Sequence, residues 1–451
     1  MEYLPRIVSW NITAACNLRC SHCYLNAAQR WPNELTTEEG LGLIDQMAEA
    51  GVELLIITGG EPLLRKDLPL LASHATGKGI TVVLGTNGTL IDRETARILK
   101  ESGVAAAGIS LDSLEPVNHD SFRGISGAWL RAIDAIKVCR EEGLDVLVHT
   151  TALKMNHKEI PALIDFAYDR GARAFHLFFL VCTGRGEQLT DISPQEYERL
   201  LAIVLDAQGR SPGMMVRARC APYIRRLAYE RGSGLAWSAG CLAGTSYCRI
   251  SPIGDVTPCP YLPLKTGNVR ATSFQAIWET SQHFRVLRPP HLQLTGRCGM
   301  CAFSQGTEPI CVGCRARAFA LTGDLLAPDP WCPYQPEREK DGMNERAASF
   351  PGQQQVSTTQ PPIAWTPEAA ERLGRIPSFI RNRVKQAAEV HARELGHSEV
   401  TPEVLVDLRR AAYRKAASAE ASQRPVAPPS SGDDEPRFSP FLQPNAPADH
   451  E

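Results

Sequence analysis

The sequence predicts an α/β fold: a parallel barrel of six βα units, then a cysteine-rich segment, then a small all-α piece. Three observations carry this. Six short apolar runs alternate with helical patterns over residues 1–200. Gly51, Gly103, Gly143 and Gly171 each follow a helical pattern, where a helix end favours a left-handed residue. Eight cysteines crowd residues 237–336, where apolar periodicity fades and a core needs cross-linking by metal.

Taken in order, strands are expected at Ile7–Thr13, Leu54–Gly59, Thr81–Thr86, Ala105–Asp112, Val146–Ala152 and Ala174–Val181, each apolar enough to be buried on both faces. Helices are expected at Thr37–Ala50, Leu68–Thr76, Asp92–Glu101, Trp129–Glu142 and Lys158–Arg170. Thr36 with Glu39 forms a capping box ahead of the first. Right-handed crossovers then put every strand C-terminus on one face. Residues 201–236 read as a helical connection and 337–362 as a polar linker. Residues 363–418 return to helical patterning, and 419–451, rich in Pro, Ser and Asp, are expected to be disordered.

A chain of 451 residues suits two or three domains. A net charge of −2 offers no electrostatic basis for nucleic-acid or membrane partners. No run of 18 apolar residues and no signal-peptide pattern occurs. The fourteen cysteines therefore read as metal ligands in a reducing cytoplasm rather than as a disulfide framework.

Two motifs carry the chemistry. Cys16, Cys20 and Cys23 follow the first strand, with Tyr24 next. Three thiolates hold three irons of a 4Fe–4S cluster and leave the fourth open; soft thiolates also suit zinc. Gly59-Gly60-Glu61-Pro62 follows the second strand. Its glycines permit close backbone approach to a ligand, and Glu61 offers an acceptor at the strand end.

Together these motifs resemble the radical S-adenosylmethionine (SAM) enzymes. The resemblance implies a partial (βα)6 barrel, open on one side for a large substrate. It implies a 4Fe–4S cluster on Cys16, Cys20 and Cys23 whose open iron binds SAM, with Gly59, Gly60, Glu61 and Pro62 receiving the SAM amino group. Ser110 and Arg123 are expected on the SAM carboxylate, because guanidinium offers a bidentate fork. Asn87 is expected at the ribose and Tyr24 near the adenine. The plainer alternatives are a surface salt bridge for Arg123, a turn for Asn87 and core packing for Tyr24.

Cys241, Gly254 and Cys259, followed by Cys298, Cys301, Cys311, Cys314 and Cys332, resemble the SPASM extension of that family. This implies one or two auxiliary 4Fe–4S clusters. By carry-over, Cys241, Cys248, Cys259 and Cys314 hold one, and Cys298, Cys301, Cys311 and Cys332 the other. The nine residues between Cys301 and Cys311 exceed the family's usual spacing. Cys139 reads as core, and Cys220 has no assigned role.

Phe175–Gly186, Gly313–Asp324 and Asp329-Pro330-Trp331-Cys332 look like the tetrapyrrole-modifying branch of the family. That implies a tetrapyrrole substrate in heme biosynthesis, with Fe-coproporphyrin III propionates decarboxylated to vinyls. A siroheme-derived substrate or a peptide is the alternative. An electron donor such as ferredoxin or flavodoxin is implied as partner. Arg185, Arg315 and Arg317 are candidate propionate partners; His176 is a candidate proton donor or iron ligand. Trp365–Ala369, Ile376–Arg381 and Thr401–Val404 resemble a small domain of a dark-operative protochlorophyllide reductase subunit. Thr366-Pro367 and Thr401-Pro402 each pair a helix cap with a first-turn proline.

Overall fold

The computed structural model describes residues 3–188, 192–232, 240–289, 291–306, 308–336, 363–374, 385 and 388–408. The linker and the tail expected at 337–362 and 419–451 lie outside the described residues. The chain divides into a larger unit, residues 1–359 with 377–380, and a smaller one made of the rest. No helix among the described residues is long and apolar enough to cross a membrane.

The larger unit is built on parallel strands β1 (Ile7–Asn11), β2 (Leu54–Thr58), β3 (Thr81–Thr86), β4 (Val104–Ser110), β5 (Asp145–Ala152), β6 (Ala174–Phe179) and β7 (Met215–Arg219). They lie side by side in chain order. Between them run α1 (Thr37–Glu49), α2 (Leu68–Gly77), α3 (Arg93–Glu101), α4 (Pro116–Arg123), α5 (Ala128–Glu141), α6 (Ile160–Asp169) and α7 (Pro194–Arg210). The capping box of Thr36 and Glu39 is present at the start of α1. A second, from Ser193 and Glu196, opens α7.

The strands are not equally buried on both faces. Val146, Val148 and Ala152 of β5 are sealed against the helices, whereas Leu147, His149 and Thr151 are only half-buried. Alternation along each strand thus divides a helix-covered core face from an inner face that lines the open barrel. Val8, Trp10, Leu55, Ile57, Val82, Leu84, Ile109, Leu43 and Met47 fill the core. Burying each such side chain fully contributes roughly 1.5–3 kcal/mol.

Two regions differ from the sequence reading. Residues 201–236 are not helical throughout, because β7 lies within them and pairs with β6, His176 opposite Arg217. Its Met215-Val216-Arg217-Ala218-Arg219 pattern buries Val216 and turns Arg217 and Arg219 to the inner face. Beyond α8 (Ile224–Glu230), the cysteine-rich segment continues the sheet. β8 (Tyr247–Ile250) pairs parallel with β1, and β9 (Asp255–Thr257) and β10 (Gly267–Asn268) add antiparallel, so the sheet is open, ending at β7 and β10. Helices α9 (Phe274–Thr280), α10 (Gln282–Val286), α11 (Gly296–Gly299) and α12 (Arg315–Thr322) complete the unit.

The smaller unit has its own apolar core of Ala369, Ala388, Ala392, Val400 and Val404. Thr366 caps α13 (Pro367–Gly374), its hydroxyl accepting from the Ala369 N–H at 3.2 Å. Among its described residues, β11 (Ala364–Trp365) pairs with β12 (Glu399–Val400).

Candidate active site

The first three cysteines occupy the loop between β1 and α1, at the C-terminal face of the sheet. Their thiols face one another. Burial first, then Glu61, Cys20 and Cys23, push the Cys16 thiol up to about 11. The Leu18 N–H points at Cys16 Sγ, 3.4 Å away, and Arg123 Nη1 lies 3.8 Å from Cys20 Sγ. The loop is fastened from several sides. Arg19 and Ser21 donate their N–H groups to the carbonyls of Arg123 and Phe122. His22 stacks on Phe122 with centroids 4.4 Å apart. Arg185, after β6, donates through Nε to Cys20 O at 2.8 Å and through Nη1 to Ala27 O at 3.0 Å. Three thiols with N–H donors aimed at sulfur suit a cluster held by three protein ligands. Among the described residues, no three His, Cys, Asp or Glu side chains close in tightly enough to hold a single metal ion.

Gly59 and Gly60 serve the cluster loop directly. A Cβ on Gly60 would sit 2.1 Å from Ala15 O, and one on Gly59 2.5 Å from Thr13 O. Gly60 and Glu61 donate their N–H groups to Thr13 O and Ala15 O, both at 2.7 Å. The close approach is therefore between two segments of this chain. Glu61 is fully buried and accepts from Thr86 Oγ1 (2.8 Å), Asn87 N (2.9 Å) and Leu63 N (3.2 Å). Burial raises its carboxyl to about 7, and these bonds keep it from rising further. Pro62 starts a short 3-10 turn.

Asn87 donates from Nδ2 to Asn17 Oδ1 at 2.9 Å, tying the end of β3 to the cluster loop. Ser110 is half-buried at the end of β4, its hydroxyl on Thr86 O at 3.2 Å. Tyr24 accepts at its hydroxyl from Asn11 Nδ2 at 2.8 Å and meets Tyr261 edge to face. Arg123 is neither a surface group nor a free fork. It is buried, with Nε and Nη2 both on Asp112 Oδ2 at 2.7 and 2.5 Å. Burial opposes ionisation of Asp112, but Arg123 outweighs it and leaves that carboxyl below its ordinary value.

Sequence reasoning missed most of the barrel interior. His149 on β5 and His176 on β6 stack with centroids 5.1 Å apart, and Phe178 flanks them. Gly108 makes room for them, since a Cβ there would lie 2.3 Å from the His149 ring. Burial, then Arg219, lowers His149 to about 3 and takes His176 well below its usual value, so both rings are neutral near pH 7. Arg219 Nη2 lies 3.4 Å from His176 Nε2. Among the described residues, Arg219 has no carboxylate partner, and burial lowers its pKa. Arg217 stands beside it on the same face, lowered to about 10 by burial and then by Arg219. The alternating arginines of β7 were the available sequence signal.

The three arginines singled out from sequence are committed to the chain itself. Arg185 holds the cluster loop. Arg315 is buried on the carbonyls of Leu325 (3.1 Å) and Ala327 (2.7 Å). Arg317 pairs with buried Asp329 at 3.0 Å and donates to Cys220 O at 2.8 Å.

The later cysteines form two groups. Cys298, Cys301, Cys311 and Cys332 line one small cavity with Tyr223, Arg226, Phe303 and Tyr334. The long spacing before Cys311 folds back on itself through a turn at Ala302–Ser304, with the Cys311 N–H on Phe303 O at 2.8 Å. Cys241, Cys259 and Cys314 face one another elsewhere. The structure does not bring Cys248 to them; Cys220 stands there instead. Cys139 is buried on α5.

Residues 10–167 match the radical SAM superfamily, 241–302 an iron–sulfur cluster-binding domain, and 365–409 the proto-chlorophyllide reductase 57 kD subunit. An AdoMet-dependent heme synthase from Methanosarcina barkeri is 40% identical over 352 residues, covering 75% of this chain and 99% of that one. One from Nitratidesulfovibrio vulgaris is 38% identical, covering 74% and 93%. The crystal structure of Streptococcus suis SuiB bound to S-adenosylmethionine superposes with a TM-score of 0.61 at 19% identity, over 74% of this chain and 78% of that one, which shows the shared fold. Its cysteine loop, its iron–sulfur extension and these relatives together make this chain a radical SAM enzyme, of the family that includes the AdoMet-dependent heme synthases.

Proposed function

We propose that the enzyme converts propionate side chains of Fe-coproporphyrin III to vinyl groups, completing heme. One observation carries this reading: Arg219, a guanidinium without a carboxylate partner among the described residues, faces the barrel interior beside Arg217 and His176. Burying such a charge with a neutral imidazole and the Cys220 thiol beside it, and no carboxylate among the described residues, leaves room for an anionic ligand. A propionate carboxylate matches the fork in shape and charge.

The cluster and SAM, when bound, supply a 5′-deoxyadenosyl radical that takes one hydrogen atom from the substrate. For each propionate, the β-carbon gives up that hydrogen atom, the carboxyl leaves as CO2, and one electron passes to an acceptor, leaving the vinyl. Arg219 and Arg217 hold the carboxylate and so fix which β-carbon faces the strand ends. His149 and His176, both neutral, add no charge of their own beside the iron tetrapyrrole. The auxiliary cysteine groups provide the place for an electron acceptor, and a ferredoxin or flavodoxin is the expected donor. The reading places the enzyme in the cytoplasm, with neither nucleic acid nor membrane as partner.

The test is anaerobic reconstitution with iron, sulfide and SAM, measuring 5′-deoxyadenosine and product mass with Fe-coproporphyrin III, with didecarboxysiroheme and without substrate. Loss of two carboxyl groups from Fe-coproporphyrin III with stimulated 5′-deoxyadenosine is expected. Stimulation by didecarboxysiroheme alone would shift the enzyme to siroheme-derived substrates. Background cleavage with both tetrapyrroles, despite intact clusters, would overturn the tetrapyrrole reading in favour of a peptide.

A further inference from the structure

We infer that Cys220, rather than Cys248, completes the thiolate set of Cys241, Cys259 and Cys314 around an auxiliary iron–sulfur cluster. The inference rests on the family assignment and on no property of the substrate.

Strand alternation removes Cys248 from the set. On β8, Tyr247 reaches Ser9 Oγ at 2.7 Å and Arg249 reaches Asn11 Oδ1 at 2.5 Å, both on the inner face. Cys248, between them, therefore points to the opposite face. It is fully buried in the main core with Val8, Trp10 and Ile250. Arg288, which stacks over Trp278 at 4.5 Å, is a charged neighbour of Cys248.

Cys220 directly follows β7, at the sheet's C-terminal face. It packs with Cys259 and Cys314 in a small apolar cluster with Leu262 and Leu287. Its thiol faces those of Cys314 and Cys241, and Cys259 in turn faces all three. The Ala243 and Arg315 N–H groups point at Cys241 sulfur, and the Tyr261 N–H lies 3.3 Å from Cys259 Sγ, the donors a cluster thiolate uses.

The backbone gives an independent sign. Cys220 has φ 60°, a left-handed residue that is neither glycine nor asparagine. That conformation is unfavourable for a residue with a Cβ and persists only where the surroundings impose it, commonly at functional sites. Arg317 donates to Cys220 O at 2.8 Å and so holds this backbone in place. Its partner Asp329 accepts the Cys314 N–H at 2.7 Å. One buried ion pair thus anchors the backbone at two of the four cysteines, far apart in sequence.

The test uses the full chain with Cys16, Cys20 and Cys23 changed to alanine, so that only auxiliary iron is read. Iron, sulfide and the electron paramagnetic resonance spectrum after dithionite reduction are compared for Cys220→Gly, Cys241→Ala and Cys248→Ala. Glycine adopts the Cys220 backbone without strain, so that variant removes the thiol and keeps the fold, which circular dichroism checks. Cys220→Gly and Cys241→Ala are expected to lose the same signal and roughly half or more of the auxiliary iron. Cys248→Ala is expected to match its parent. Cys220→Ser, offering oxygen for sulfur, should retain iron and shift the signal. Full iron with the parent spectrum in Cys220→Gly, or loss of that signal in Cys248→Ala, overturns the inference. None of these readouts moves if only the substrate reading is wrong.

Discussion

Tyr24 and Tyr261 meet edge to face, with ring centroids 5.2 Å apart and planes at 65°. Tyr24 follows Cys23 in the first cysteine loop, and the Tyr261 N–H donates to Cys259 Sγ. A single aromatic contact therefore separates the loop of the first cysteine group from a cysteine of the auxiliary group. If electrons pass between the two groups, Tyr261→Leu should leave iron content and SAM cleavage near wild type. It should lower product formed per 5′-deoxyadenosine by about tenfold. An unchanged ratio would reduce the pair to packing.

Arg219→Gln keeps the approximate size and removes the charge. With Fe-coproporphyrin III we expect kcat/KM to fall by roughly 10- to 100-fold, with Arg219→Lys intermediate because ammonium lacks the planar fork. The same variant with its clusters intact should still bind SAM. Equal loss of SAM binding would move Arg219 to the cofactor side.

Glu61 makes stability depend on pH in a defined direction. Folded, its carboxyl titrates at about 7; unfolded, at its ordinary 4.5. Between those values the native state holds a proton that the unfolded state has released. Stability therefore falls as pH rises from 4.5 to about 7 and then levels, by roughly 3 kcal/mol in all. Glu61→Gln lacks this loss. Urea unfolding of SAM-free protein at pH 5 and pH 8 should show the variant gaining on wild type at the higher pH.

Gly184 has φ +60°, and a Cβ there would lie 2.5 Å from Cys23 O and 2.7 Å from Tyr24 O. Gly184→Ala should cost roughly 2–4 kcal/mol and lower iron uptake by the first cysteine loop. Gly186→Ala, whose Cβ would first meet His22 Cα at 3.3 Å, should be milder. Thermal unfolding and iron content compare the two.

The missed parts of the site have specific causes. Arg123 sits where a SAM carboxylate contact was sought, but Asp112 lies on the adjoining segment and takes its fork. Arg315 and Arg317 stand out in sequence as charges, yet a short helix buries both against carbonyls and Asp329. Arg219 escaped because β7 is five residues long and follows a seventeen-residue helix.

The auxiliary iron sites followed from the family resemblance, whereas spacing and periodicity alone were enough for the six βα units, the capping box at Thr36 and the cysteine loop. Each depends on interactions within a few residues, which composition and pattern encode locally. Which face of β8 carries Cys248, which arginines are taken up by carboxylates of the chain, and which thiols come together were decided only by tertiary structure. Arg317 and Cys220 are 97 residues apart, and their contact exists only because the sheet brings the end of β7 beside α12.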